Sequence, residues 1–313
     1  MKYVEYVNAR FREAAARLDP FVCYGQNVSA GSCIAGLSRG VGGGSGRNLA
    51  LNTPNVENTL VGAGFGMMLG GVSSAFFMKQ QDFLLLGIDQ LVNTYNAVRQ
   101  NPPAASFSVV SVVVDSGFEG IQSSLNNFAD FCSIARIPGF SVTCRQDADS
   151  VIGRRFTEPG FRLIAVSQRL FGTELIDFGG EPLLDRGSEI FQYLRGGDLT
   201  LACCNFSLPQ GLALCRELSG RGLSASLFGV NAPTPVDFAP ILEDVRNTRR
   251  LLVLDDSKSA NVAAQSLAAQ ALSERAAEKA LVLARGHSED WYRPQAETFA
   301  PDAATALREL GLG

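Results

Sequence analysis

Glu57, Gln80 and Phe83 are the residues whose types and spacing best suit chemistry, and all three fall between Asn52 and Asn93. Glu57 heads a run rich in small residues (Val61, Gly62, Ala63, Gly64, Gly66, Gly70, Gly71), which lets a ligand or another helix come close. Phe83 opens a second apolar segment that ends in Asp89-Gln90. A carboxylate so placed can hold the ring-nitrogen proton of an aminopyrimidine, and an aromatic can stack on the ring. Taken singly, each has a plainer reading. Glu57 could complement a helix dipole from the first turn, and Phe83 could belong to the core.

The elements that must position these residues follow an alternating pattern of strands and helices, which predicts a parallel α/β architecture. Phe107–Asp115 and Arg162–Ser167 are short β-branched runs of buried-strand type. Residues 6–17 have helical spacing, and the alanine-rich segment 259–279 predicts a long helix. The segment 178–187, Pro102-Pro103 and the glycine cluster at 40–47 read as loops. Gly196-Gly197 precedes a new strand, Leu199–Cys203, so the division is expected near 190, with domains at 1–190 and 191–313.

Composition narrows the class. The chain has 313 residues, 46% of them hydrophobic and 19% charged, with a net charge of −4. That predicts a folded protein with ample core, and the lack of a basic block argues against nucleic-acid or membrane-surface partners. No signal peptide is read at the N-terminus, and the longest apolar stretches are too short for a bilayer. Seven cysteines without CxxC or Cys/His spacing predict small buried hydrophobes in a cytoplasmic protein, with neither a zinc site nor a disulfide framework.

Across nearly its whole length the chain resembles the beta subunit of the decarboxylating component of 2-oxoacid dehydrogenases, and more distantly the C-terminal half of transketolase-like enzymes. NTPNVE stands where that family has an (Asp/Asn)-Thr-Pro-x-x-Glu run, and ARIPGFSVTCRQDADSVIGRRF matches its His-x-Pro-Gly strand and following helix. GGDLTLACC, PTPVD and RRLLVLDDS resemble parts of its C-terminal domain. The resemblance implies an N-terminal parallel-sheet domain for the pyrimidine of thiamine diphosphate and a transketolase-C-like α/β domain. It makes Glu57 the catalytic carboxylate and puts Glu57, Phe83, Gln80 and Gly64 at the cofactor. No Gly-Asp-Gly run with a downstream asparagine is present, so no metal is assigned to this chain. Mg2+ and the diphosphate are expected on an alpha-type partner in an α2β2 assembly.

The departures from the family pattern shape the expected activity. Gln80 stands where an aromatic is usual, and Val114-Asp115-Ser116 replaces an Arg-Gly-Pro run. The family histidine that serves acyl transfer to a lipoyl arm has Leu125 and Asn126 in its place, and the single histidine is His287. Leu125, Asn126 and His287 are therefore the expected substrate-pocket residues. General acid/base help of the missing kind is typically worth ~10²–10⁴-fold. A specialised biosynthetic relative is expected, one that decarboxylates a 2-oxo acid or cleaves a ketose and passes the unit on. A split transketolase C-terminal subunit and a non-catalytic beta-like partner remain open.

Overall fold

A computed structural model of the chain describes residues 1–44, 46–233, 236–260, 263–285 and 298–313. His287 and part of the PTPVD turn lie outside the described residues. The chain builds two six-stranded sheets. The first contains β1 (Phe21–Gly25), β2 (Leu49–Asn52), β3 (Ser73–Met78), β4 (Ser106–Val113), β5 (Gly139–Val142) and β6 (Gly160–Ser167), in the order β2-β1-β3-β4-β6-β5. Every pairing in it is parallel. The central strands β3 and β4 are buried along their whole length, as expected where helices cover both faces. One face packs under α1 (Tyr3–Ala15), the other under α2 (Glu57–Leu69) and α3 (Ile88–Val98), with α4 (Phe128–Ala135) beside them.

The second sheet contains β7 (Leu184–Arg186), β8 (Ile190–Leu194), β9 (Leu199–Cys204), β10 (Ala225–Val230), β11 (Arg250–Asp255) and β12 (Lys279–Ala284). Its order is β12-β11-β9-β10-β8-β7, parallel except for the β7–β8 and β8–β10 pairs. β7 occupies part of the segment expected as loop, and Gly196-Gly197 turns between two strands of one sheet. The second sheet thus begins at Leu184, ahead of the expected division at 190. We propose a division in the stretch between β6 and β7. The predicted helix 259–279 is shorter, Ala263–Ser273, because Arg275 takes a positive φ of 55° and the chain then enters β12.

A buried polar junction ties the two sheets together. Asp115, just beyond β4, and Asp256, just beyond β11, are 1% and 0% exposed, and Arg169 bridges them at 3.1 and 3.2 Å. Asn126 donates to the Asp256 carbonyl at 2.6 Å and accepts from Asn205 at 2.8 Å. Asn205 and the Phe206 N–H both donate to the Asp256 carboxylate, at 2.8 and 2.9 Å. Arg285 donates to the carbonyls of Asp115 and Asp256, each at 2.8 Å. Burial, reinforced by the charge of Asp115 and opposed by Arg169, pushes the Asp256 carboxyl up to about 7.

This arrangement sets a pH dependence. An unfolded aspartate loses its proton near pH 4, whereas Asp256 in the folded chain holds its proton to about 7. Between these values the folded state binds more protons, so stability from this group is full below about pH 4 and declines as pH rises towards 7. Asp256→Asn should flatten that decline, read as urea-unfolding free energies at pH 5 and pH 7. A slope equal to that of the wild type would remove Asp256 as its source.

Candidate active site

The carboxyl-terminal edge of the first sheet carries Glu57, Gln80 and Phe83. Strand β2 ends at Asn52, and five residues later Glu57 opens α2. Glu57 is 5% exposed, and no described residue donates a hydrogen bond to its carboxylate. Its oxygens are not among the fully buried atoms that lack a partner, so they stay open to a ligand that brings its own N–H. The first-turn location also gives it a favourable helix dipole.

Beyond β3 the chain makes a 3₁₀ segment, Gln81–Gly87, before α3. Its end lies against the first turn of α2: a Cβ on Gly87 would stand 3.0 Å from the Val61 side chain and 3.5 Å from the Glu57 carbonyl. Phe83 is half-buried on this segment, packed against the core beneath α2 and α3. Next to it Leu85 and Leu86 are 58% and 64% exposed, and Val56, just before Glu57, is 44% exposed. Glu57 therefore sits inside an uncovered apolar rim.

Gln80 does not stand free. Its amide donates to Ser123 Oγ. Asp82, which sequence reasoning passed over, accepts from the N–H groups of Ser124 and Leu125 at 3.0 and 3.2 Å. Burial raises the Asp82 carboxyl above its ordinary value, and those two N–H groups oppose the rise. Together Gln80 and Asp82 clamp residues 123–125 onto the 3₁₀ segment. Leu125 packs half-buried against the same core as Phe83. The only signal for this clamp in the sequence is an acidic residue directly before Phe83.

Two expected site residues need correction. Asn126 is fully buried, and its amide is spent on Asp256 and Asn205 in the inter-sheet junction, so it offers nothing to a substrate. Gly64 faces the sheet and not a ligand: a Cβ there would lie 2.2 Å from the Phe107 ring and 2.5 Å from the Tyr24 hydroxyl. Tyr24 in turn donates to the Leu60 carbonyl at 2.8 Å, so that hydroxyl cannot withdraw freely. The glycine is there for close helix-to-sheet packing. The cysteines meet expectation. All seven are buried and unpaired, and burial pushes the Cys215 thiol up to about 11.

Comparison with known proteins shows what the chain is similar to. No protein-family model matches the chain. The beta subunit of acetoin:2,6-dichlorophenolindophenol oxidoreductase from Cupriavidus necator is 23% identical over 250 residues, covering 76% of this chain and 70% of the relative. The pyruvate dehydrogenase E1 component subunit beta of Leifsonia xyli is 21% identical over 258 residues, covering 81% and 76%. The chain is similar to E1 beta-type subunits of the transketolase-like family. A split-gene transketolase, solved as an inactive beta4 tetramer, superposes on this chain with a TM-score of 0.66 at 12% identity, covering 98% of this chain and 96% of that one. Against transketolase from Campylobacter jejuni the TM-score is 0.63 at 8% identity, and this chain spans 44% of that protein.

The two faces of α2 make a measurable contrast. Gly64→Ala forces a methyl into the Phe107 and Tyr24 rings and should destabilise the chain by about 1–3 kcal/mol. At Gly66 an added Cβ meets nothing within 4 Å, so Gly66→Ala should stabilise the isolated chain by about 0.5–1 kcal/mol through helix propensity. Thermal and denaturant unfolding of the two variants reads the difference. Because the expected signs are opposite, a similar effect at both sites would be a clear failure of the packing argument.

Proposed function

We propose that this chain is the beta-type subunit of a heteromeric thiamine diphosphate enzyme that decarboxylates a 2-oxo acid and transfers the remaining unit to an acceptor in a specialised biosynthetic pathway. Glu57 carries the reading, as a buried carboxylate at a helix head with no donor among the described residues. The cofactor, when bound, supplies the nucleophilic carbon and the electron sink that cleavage next to a carbonyl needs. Glu57 would hold the proton on N1′ of the pyrimidine, and Phe83 would present its ring to the pyrimidine face. Gln80, tied to Ser123, would act as a fixed polar wall in place of an aromatic one.

The diphosphate and Mg2+ are assigned to an alpha-type partner in an α2β2 assembly. The exposed Leu85, Leu86 and Val56 beside Glu57 suit burial under such a partner. Closing that rim would also exclude water and strengthen the hydrogen bond at Glu57. The similarity to the split transketolase over nearly both whole chains supports a second reading, a subunit that cleaves ketoses. That relative was solved as an inactive beta4 tetramer, which keeps a non-catalytic beta-like partner as a third.

With the alpha-type partner present, Glu57→Gln should leave assembly intact and slow deuterium exchange at the cofactor C2 by about 10²-fold or more. Exchange within a few-fold of wild type would return Glu57 to a helix-dipole role. Acceptor choice separates the readings. With Asn126 committed to the inter-sheet junction and Leu125 apolar, neither residue at the family histidine's place can cycle a proton as an imidazole does near neutral pH. A 2-oxo acid should therefore turn over faster with an aldehyde acceptor or ferricyanide than with lipoamide. Lipoamide turnover equal to the others would show that the missing histidine is not limiting. Silence with every acceptor, alongside normal partner binding, selects the non-catalytic reading.

A further inference from the structure

A second pocket lies at the opposite edge of the first sheet, where β4, β5 and β6 begin. It encloses about 310 Å³, the lower end of the range for small-molecule sites. The length of β4 puts it roughly 25 Å from the Glu57 edge at about 3.3 Å per residue. Its apolar walls are Tyr95 and Phe161, with ring centroids 5.7 Å apart, together with Phe140 and the prolines of three loops. No described residue hydrogen-bonds the Tyr95 hydroxyl.

Three arginines, Arg99, Arg155 and Arg162, line this pocket against a single carboxylate, Glu158. Arg155 is already occupied: it pairs with Glu158 at 2.9 Å and lies over the Phe140 ring. Arg162 is 4% exposed and donates only to uncharged groups, Ser108 Oγ at 3.4 Å and the carbonyls of Phe156, Pro159 and Glu158 at 3.3, 3.1 and 2.5 Å. No carboxylate among the described residues stands within ion-pair distance of it. Burial, with Arg155 adding to it and Glu158 opposing, pulls the Arg162 guanidinium down to about 10. Arg99 is exposed, and its side chain makes no ion pair or hydrogen bond among the described residues.

A buried guanidinium facing carbonyls in place of an anion is an unbalanced charge. Next to it are a free cation at the rim and two aromatic faces, a combination that recognises a flat body carrying one charged end. We propose that this pocket binds a small aryl anion, a carboxylate or a phosphate, with its ring held between the packed Tyr95–Phe161 pair on one side and the proline walls on the other, and its charge at Arg99 and Arg162. Met68, in the last turn of α2, also lines the pocket. The ligand would thus touch the far end of the helix whose first residue is Glu57.

Calorimetric titration of the full chain with benzoate, phenyl phosphate, inorganic phosphate and benzyl alcohol tests the proposal. At least one aryl anion should bind, and benzyl alcohol and inorganic phosphate should each bind more weakly, since each carries only half of the recognised features. Arg99→Gln removes a charge that no ion pair or side-chain hydrogen bond among the described residues uses. It should weaken aryl-anion binding at least about tenfold while the thermal midpoint stays unchanged, and Tyr95→Ala should weaken it as well. Benzoate and phenyl phosphate distinguish the two anion sources. The proposal is overturned if neither aryl anion binds, if binding survives both substitutions, or if inorganic phosphate binds as tightly as phenyl phosphate.

Discussion

Arg169 between Asp115 and Asp256 is the contact on which the arrangement of this chain most depends. Two carboxylates in a dry junction repel each other, and removing either from water is expensive without a partner. One guanidinium, the Asn205 amide and the Phe206 N–H together satisfy Asp256, and the same guanidinium reaches Asp115. Because these groups come from both sheets, the network holds only when the sheets are in register with each other. It also fixes Asn126 and thereby the loop that leads back to Leu125, which the Gln80–Asp82 clamp then presses beside Phe83. Inter-sheet packing and the shape of the cofactor wall are parts of one structure.

That link explains which sequence features were legible. The β-branched runs of β4 and β6 announced buried parallel strands, and the Thr-Pro-x-x-Glu run marked Glu57 at a helix head, because both signals are local. Side-chain direction is not local. Leu125 and Asn126 are neighbours, yet one packs near Phe83 and the other points into the junction with Asp256. Which of them faces the site depends on contacts 130 residues away along the chain. Gly64 misled for a similar reason. A glycine permits close approach by anything, and here the approaching groups are Phe107 and Tyr24 from the sheet.

The short strand β7 and the end of the helix at Ser273 were hidden by weaker physics. β7 has three residues, none fully buried, and it exists because β8 offers it an edge. The alanine-rich run continues to favour helix beyond Ser273 by propensity alone. What stops it is tertiary: Arg249 donates to the carbonyls of Arg275 and Ala276 at 2.7 and 2.6 Å, and the chain is then drawn into a parallel pairing with β11.

The replacement of Arg-Gly-Pro by Val114-Asp115-Ser116 looks from the sequence like loss of a functional motif. In the fold Asp115 is instead a structural acceptor, taking hydrogen bonds from Ser167 at 2.6 Å and from the Arg169 backbone at 3.1 Å in addition to the Arg169 side chain. The departures from the family pattern therefore differ in kind. Asp115 and Asn126 have been absorbed into the scaffold, where their hydrogen bonds are complete. Glu57 has not: it is buried, without a donor, and framed by exposed leucines. Its open oxygens beside exposed leucines are the physical argument for the proposed ligand, and for the proposed second chain, at this edge of the sheet.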